Sequence, residues 1–122
     1  MASSQKDNWT LLARENRRAS TFLVEEKYYR SSVSRAYYAA FSKIAGELAQ
    51  LNVAFPKEWE GPTHKKLPGL IRQRLTRLSE VERIALSDLV NELYRLRIMA
   101  DYQPSTVVDG REARKAAALL RK

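Results

Sequence analysis

The regular recurrence of apolar residues at every third or fourth position is the feature that most constrains this chain. It is clearest from Tyr28 to Leu51, where the apolar positions follow in steps of 4, 4, 3, 4 and 3: Val33, Tyr37, Phe41, Ile44, Leu48 and Leu51. This spacing matches the turn of an α-helix with one buried side. Alanines and a glycine lie beside the stripe and allow a neighbouring helix to approach closely. The stretch therefore predicts a long, packed second helix.

A first helix is predicted before it, running from Trp9 to about Lys27. Asp7 or Asn8 is a candidate N-cap, because a short side-chain acceptor satisfies free backbone N–H groups at a helix start. Residues 1–7 are expected to form a frayed terminus. A short turn within 25–30 separates the first two helices.

A loop is predicted at 52–62, since it contains Pro56, Gly61 and Pro62. Thr63 can begin a short helical turn, THKK. Pro68 is tolerated in the first turn of a helix, where its missing N–H needs no partner. A third helix is accordingly predicted from Pro68 to about Arg77.

The fourth and fifth helices have clear end signals. Ser79 and Glu82 form a capping box at the start of the fourth, and Pro104 ends it. Ser105 or Thr106 is the predicted N-cap of the fifth. Nowhere does the sequence alternate with the two-residue period of a strand. The predicted fold class is all-α, a bundle of four or five helices in a single domain spanning 1–122.

The net charge of the chain indicates what kind of partner it can bind. Twenty-two Lys and Arg against 14 Asp and Glu give a formal net charge of +8. Such a balance favours contact with an anionic partner, although it also serves solubility alone. There is no cysteine, which excludes disulfides and thiolate chemistry. No leader peptide or membrane span is evident, so a cytoplasmic location and no membrane partner are expected.

An arginine lies where the fourth helix should be apolar. On a wheel of 100° per residue, Arg97 falls inside the apolar arc next to Val90, with Asp101 one turn later. An inward arginine is costly unless paired. Three explanations remain open: an internal pair with Asp101, a face completed by a second subunit, or a site that holds a phosphate with its guanidinium fork.

Other candidate residues are weaker. His64 is the only histidine, and a solitary histidine is more often a surface residue than a catalyst. No second histidine and no carboxylate pair at helical spacing accompany it, so a metal site is not expected. There is no Gly-rich phosphate loop, and no cofactor is predicted. Lys65, Lys66 and Arg72 belong to a basic stretch that can contact phosphates or simply be solvated. Tyr38 flanks the core stripe and can pack there or stack on a base.

Three segments together resemble the HEPN superfamily. They are YYRSSVSRAYYAAFSKIAGEL, then THKKL, then LRIMADYQPS followed by an alanine-rich helix. The most specific parts are Tyr37–Tyr38–Ala39 and Arg97-x-x-Ala100–Asp101–Tyr102. The closest likeness is to small stand-alone HEPN proteins. This resemblance implies an up-and-down helical bundle, often dimeric through the helices that carry the motif.

The resemblance also implies an activity. Many HEPN domains are metal-independent ribonucleases of toxin–antitoxin, CRISPR or phage-defence systems. Their motif is an arginine followed four to six residues later by a histidine. The arginine holds the scissile phosphate, and the histidine assists proton transfer in attack by the ribose 2′-hydroxyl.

This sequence departs from that motif, because no histidine follows Arg97. Tyr102 occupies a spacing where the histidine falls, Asp101 precedes it, and His64 can substitute only if the fold or a dimer brings it close. The predicted catalytic set is thus Arg97, Asp101, Tyr102 and His64, with RNA contacts from Arg97, Lys65, Lys66, Arg72 and Tyr38. The alternative is a non-catalytic module that binds a nucleotide, an antitoxin or a nucleotidyltransferase.

Overall fold

The fold is all-α, as predicted. A computed structural model describes residues 2–51, 53 and 64–120, and this part of the chain contains five helices and no strand. The helices are α1 (Ala2–Glu25), α2 (Tyr29–Gln50), α3 (Leu67–Arg74), α4 (Glu80–Tyr102) and α5 (Gly110–Leu120). None of the helices in the described residues is long and apolar enough to cross a bilayer.

A tight turn joins α1 to α2 and reverses the chain. Lys27 adopts a left-handed backbone with φ 66° within the three residues, 26–28, that connect α1 to α2. Two buried serines then link the helices reciprocally. The Ser20 hydroxyl donates to the Ser32 carbonyl oxygen and the Ser32 hydroxyl to that of Ser20, both at 2.9 Å. Such bonds require close backbones, so α1 and α2 pack as an antiparallel pair.

The second helix is the centre of the bundle. It packs against α1, α4 and α5, and its stripe supplies much of a continuous core. Residue 37 of α2 lies near residue 94 of α4, and residue 34 lies near residue 101, so these helices are also antiparallel. The buried core cluster consists of Val33, Ala36, Tyr37, Phe41, Ile44, Ala45, Leu48, Leu67, Ile71, Leu75, Val90, Leu93, Leu96, Ala100, Ala113 and Ala116.

The predicted capping box at the start of α4 is confirmed. The Glu82 backbone N–H donates to the Ser79 hydroxyl oxygen at 3.1 Å, and the Ser79 N–H donates to the Glu82 carboxylate at 3.0 Å. The Ser79 backbone N–H, and secondarily the Ser79 side chain, lower the pKa of the Glu82 carboxyl. The helix ends at Tyr102, two residues before Pro104, which also agrees with the prediction.

Two helix boundaries differ from the prediction. Asp7 and Asn8 are not N-caps, because both lie inside α1, which begins at Ala2. The third helix ends at Arg74 rather than Arg77. Ser79 adopts the extended conformation (ψ 163°) at the capping box of α4, so the chain leaves the helical conformation before that residue. A backbone hydrogen bond from the Thr76 N–H to the Arg74 carbonyl oxygen lies in the turn between α3 and α4.

The start of the last helix was also predicted wrongly. Ser105 and Thr106 lie in the connection, and α5 begins at Gly110. The cap is Asp109, whose carboxylate accepts the N–H of Arg111 at 2.9 Å, while the Glu112 carboxylate accepts the Asp109 N–H at 3.1 Å. The loop predicted at 52–62, apart from Val53, and the start of the THKK turn lie outside the described residues.

Candidate functional site

Arg97 lies among four tyrosine rings where α2 and α4 meet. Its side chain is 11% exposed. The guanidinium carbon lies 5.1 Å from the ring centre of Tyr38, 5.6 Å from Tyr102, 5.8 Å from Tyr37 and 5.9 Å from Tyr94. Two rings come from neighbouring positions on α2 and two from the turns of α4 around Arg97. Attraction between the cation and the faces of these rings offsets part of the cost of burying the charge.

Asp101 accompanies Arg97 one helical turn later. Its Oδ2 atom lies 3.2 Å from Nε of Arg97 and accepts a hydrogen bond from the Ser34 hydroxyl at 3.2 Å. The distance to Arg97 is that of an ion pair, yet the Nε–H bond is not directed at the carboxylate, and Nε is buried without a hydrogen-bond acceptor. We therefore regard the contact as charge attraction only. The guanidinium keeps donor capacity that Asp101 does not use.

The structure brings His64 into the same cluster. Its Nδ1 atom lies 2.5 Å from the hydroxyl oxygen of Tyr37. The imidazole ring is 4.9 Å from the Phe41 ring and stacks on Tyr94 at 5.7 Å with an angle of 29° between planes. His64 comes from the turn before α3, more than 30 residues from Arg97 in the chain. Only tertiary packing joins them.

The surroundings within the cluster shift the pKa values of His64 and Tyr37. Burial, and secondarily the charge of Arg97, lowers the pKa of His64 below its ordinary value. Burial raises the pKa of the Tyr37 hydroxyl far above its ordinary value, with Arg97 opposing the shift. At neutral pH the site therefore contains a neutral imidazole, a protonated phenol and a cationic guanidinium. A neutral imidazole can accept a proton, which an imidazolium cannot.

Comparison with known families agrees with this architecture. The family model for the HEPN domain matches residues 7–122. The chain belongs to the HEPN family. Comparisons with curated proteins and with solved structures gave no significant match.

No histidine follows Arg97 in this HEPN chain, but His64 lies in the same aromatic cluster as Arg97. Tyr102, at the motif spacing, is 65% exposed and flanks Arg97 with its ring. His64 instead shares the aromatic surroundings of Arg97, since both groups lie against Tyr37, Tyr38 and Tyr94. Three of the four predicted catalytic residues (Arg97, Asp101 and Tyr102) thus meet on α4, and the fold adds the fourth.

The predicted RNA-contacting residues do not all lie at this cluster. Tyr38 does, and Lys65 is exposed beside His64. Arg72 does not, because it donates to the hydroxyl of Ser87 at 3.0 Å. Ser87 precedes Arg97 on α4 by ten residues, which corresponds to about 15 Å along the helix axis.

Sequence reasoning missed the partner of the histidine. Tyr37 was assigned to the core stripe, and it is indeed 1% exposed, but its hydroxyl also binds His64. A tyrosine rather than phenylalanine at a core position was the available signal, because a buried hydroxyl needs a hydrogen-bond partner.

Arg30 was missed as well, and it fixes the end of α4 that carries the site. One terminal nitrogen donates to the carbonyl oxygens of Met99 and Ala100 at 3.0 Å and of Gln103 at 3.1 Å. The other donates to the carbonyl oxygens of residues 104 and 106. A guanidinium that satisfies the last carbonyls of a helix stabilises that helix end. Because Arg30 lies in the first turn of α2, it holds Asp101 and Tyr102 in register with Ser34 and Tyr38.

The acidic residues of the described part form no metal cluster. No group of three or more His, Asp or Glu side chains within it has the arrangement of a metal site. Glu92 is engaged in ion pairs with Arg95 at 2.6 Å and Lys115 at 2.9 Å. These partners, Arg95 first, lower the pKa of the Glu92 carboxyl to about 2.

Proposed function

We propose that this HEPN domain acts on RNA as a metal-independent endoribonuclease. The observation that carries the proposal is the meeting of His64 with Arg97 in one aromatic cluster. A cation for the phosphate and a base for the 2′-hydroxyl are the two groups that such a reaction needs. Both are present here although the usual motif histidine is absent.

The arginine supplies the electrostatic part of the proposed reaction. Attack on a phosphodiester accumulates negative charge on the non-bridging oxygens, and a planar guanidinium donates to two such oxygens at once. Arg97 is largely shielded from water by the tyrosine rings, and its attraction for an anion is consequently stronger than at an open surface. Its ion pair with Asp101 leaves the Nε donor without an acceptor.

His64 supplies the proton transfer. With Nδ1 bonded to the Tyr37 hydroxyl, Nε2 is the nitrogen left for substrate. If Nδ1 carries the proton and donates it to the Tyr37 oxygen, Nε2 is a free base that takes the proton of the ribose 2′-hydroxyl. The 2′-oxygen then bonds to phosphorus while the bond between phosphorus and the 5′-oxygen breaks. The 5′-oxygen takes a proton from water and the imidazolium returns its proton to the solvent, giving a 2′,3′-cyclic phosphate and a 5′-hydroxyl. Tyr37 is a positioning residue in this scheme, because it orients the imidazole.

RNA cleavage in EDTA tests the proposal. Wild-type protein should cleave, and both Arg97→Ala and His64→Gln should reduce the rate by at least about 100-fold. Arg95→Ala is the matched control, since Arg95 lies on the same helix with a 55% exposed side chain. Absence of cleavage by the wild type, or equal cleavage by Arg97→Ala, would refute the ribonuclease. RNA binding without cleavage would favour the non-catalytic module instead.

The biological setting we propose is a cytoplasmic toxin or phage-defence module, in which this chain forms a homodimer and is controlled by a cognate antitoxin or nucleotidyltransferase. Membership of the HEPN family supports this setting. Expression of the wild-type chain alone should arrest bacterial growth, and expression of Arg97→Ala at the same level should not. Normal growth with the wild type would count against a toxin.

A further inference from the structure

A second basic position lies on α4, away from the Arg97 cluster. Arg72, on α3, reaches across and donates to the buried hydroxyl of Ser87. Arg83 precedes Ser87 by one turn on the same face of α4, so its side chain is a neighbour of this contact. The Nε atom of Arg83 is buried and has no hydrogen-bond acceptor. Arg72 thus contacts Ser87 directly, and helical spacing places Arg83 at the neighbouring position on α4.

No carboxylate balances these two arginines. Among the described residues, the ion pairs are made by Arg77, Arg95, Arg97 and Lys115, and neither Arg72 nor Arg83 takes part in one. Like charges at close range repel, and a buried donor without an acceptor costs free energy. An anion between the two guanidinium groups would remove both costs. Ser87 positions Arg72 by accepting one of its N–H groups, which leaves the rest of its fork for a ligand.

This basic pair belongs to the same face of the bundle as the Arg97 cluster. On the helix wheel, Arg83, Ser87, Tyr94 and Arg97 fall within an arc of about 80°. The distance along the axis from Ser87 to Arg97 is about 15 Å. A stacked nucleic-acid strand carries one phosphate per roughly 3.4 Å of axis, so this span corresponds to about four phosphates.

We propose that Arg72 and Arg83 bind a second phosphate of the RNA strand whose scissile phosphate lies at Arg97. The inference rests on the proposed RNA substrate, but not on its cleavage. It makes the substrate a single-stranded RNA that extends over several nucleotides along α4.

Binding of 2′-O-methyl RNA tests this subsite, because the blocked 2′-hydroxyl prevents cleavage. Fluorescence anisotropy is measured with a dinucleotide and a decamer, for wild type and for the double variant Arg72→Ala/Arg83→Ala. The double variant should bind the decamer at least about tenfold more weakly, since charge-assisted hydrogen bonds are lost. Binding of the dinucleotide, which cannot span both positions, should not change.

A matched control separates this subsite from general loss of charge. Arg74→Ala/Arg111→Ala also removes two exposed positive charges, from α3 and α5. Only the Arg72/Arg83 variant should reduce the slope of log Kd against log salt by about 0.7 or more for the decamer. Arg83→Ala alone removes no hydrogen bond among the described residues and should show the same selective loss for the decamer, which guards against misfolding at Arg72.

Three results would each overturn the subsite. The two double variants could weaken decamer binding equally, the Arg72→Ala/Arg83→Ala variant could lose as much affinity for the dinucleotide as for the decamer, or the wild type could fail to bind the decamer. The cleavage proposal fails separately. A protein that binds the decamer through Arg72 and Arg83 but never cuts unmodified RNA would retain the subsite and lose the ribonuclease.

Discussion

The hydroxyl oxygen of Tyr37 and the Nδ1 atom of His64 lie 2.5 Å apart, between a core position of α2 and the turn before α3. This bond connects the hydrophobic core to the candidate site. It fixes the imidazole ring against Tyr94 and leaves Nε2 for other contacts. The properties of His64 should accordingly respond to changes at Tyr37 and at Arg97.

Removing the charge of Arg97 should raise the pKa of His64. Burial is the larger cause of the lowered value and Arg97 the second, so Arg97→Gln should move the pKa part of the way back toward the ordinary one. The chain has one histidine, and its NMR signal needs no assignment. Arg95→Gln serves as the control and should leave the titration unchanged. A downward shift in Arg97→Gln would contradict the electrostatic contact.

The same lowered pKa should make folding stability depend on pH. Between the folded pKa of His64 and the unfolded value of about 6.5, the unfolded chain binds more protons than the folded chain. The free energy of unfolding should therefore have its full value above about pH 6.5. It should decrease as the pH falls from there toward the folded pKa of His64. Urea unfolding across the window checks this. His64→Gln should flatten the curve there, and an equally steep curve in that variant would assign the slope to other groups.

Replacing Tyr37 with phenylalanine should weaken both stability and function. The ring remains in the core, while the Nδ1 atom of His64 loses its partner. We expect a loss of about 1 kcal/mol in the free energy of unfolding, the usual contribution of one hydrogen bond. If His64 is the base, the rate of RNA cleavage should also fall, and by more than the loss of folded protein accounts for. Tyr28→Phe, at a 63% exposed position, is the control, and equal effects of the two substitutions would contradict a specific role of Tyr37.

Replacing Arg97 with alanine should destabilise the fold moderately. Removing one partner of a fully buried ion pair costs about 3 to 5 kcal/mol. Asp101 is 28% exposed and keeps its bond from Ser34, so we expect a smaller loss of about 1 to 2 kcal/mol after discounting for solvent screening. Urea unfolding of Arg97→Ala beside Arg95→Ala measures the difference. An unchanged free energy of unfolding in Arg97→Ala would show that the pair with Asp101 has no structural role.

Replacing Arg30 with alanine should loosen the end of α4. Five carbonyl oxygens lose a charged donor at once, and we expect a loss of about 2 to 3 kcal/mol. Arg30→Lys keeps the positive charge but not the forked guanidinium. Its free energy of unfolding should lie between those of Arg30→Ala and the wild type. Hydrogen exchange at residues 99–106 is the most direct measurement. Protection there that is equal in all three proteins would contradict the clamp.

Local signals determined most of the fold. Apolar spacing of three and four residues predicted the helices, and the capping box of Ser79 and Glu82 placed the start of α4 because both partners lie within one turn. The error at the start of α5 has a tertiary cause. The segment after Pro104 contains Ser105 and Thr106, which resemble caps, but Arg30 holds its carbonyl groups in a turn and delays α5 until Asp109 can cap it. That contact joins residues about seventy positions apart, and local sequence does not encode it.

Part of the candidate site could likewise be predicted from the sequence, and part could not. The sequence by itself determined that Arg97 faces inward with Asp101 one turn away, since both positions follow from the helical period. It also determined the family, through motifs that lie nearly unbroken on α2 and α4. Only the tertiary structure decided that His64 lies in the aromatic cluster of Arg97, that its Nδ1 atom contacts the Tyr37 hydroxyl, and that Arg72 instead binds Ser87. Those relationships arise from packing between helices, where burial and the field of one side chain set the protonation of another.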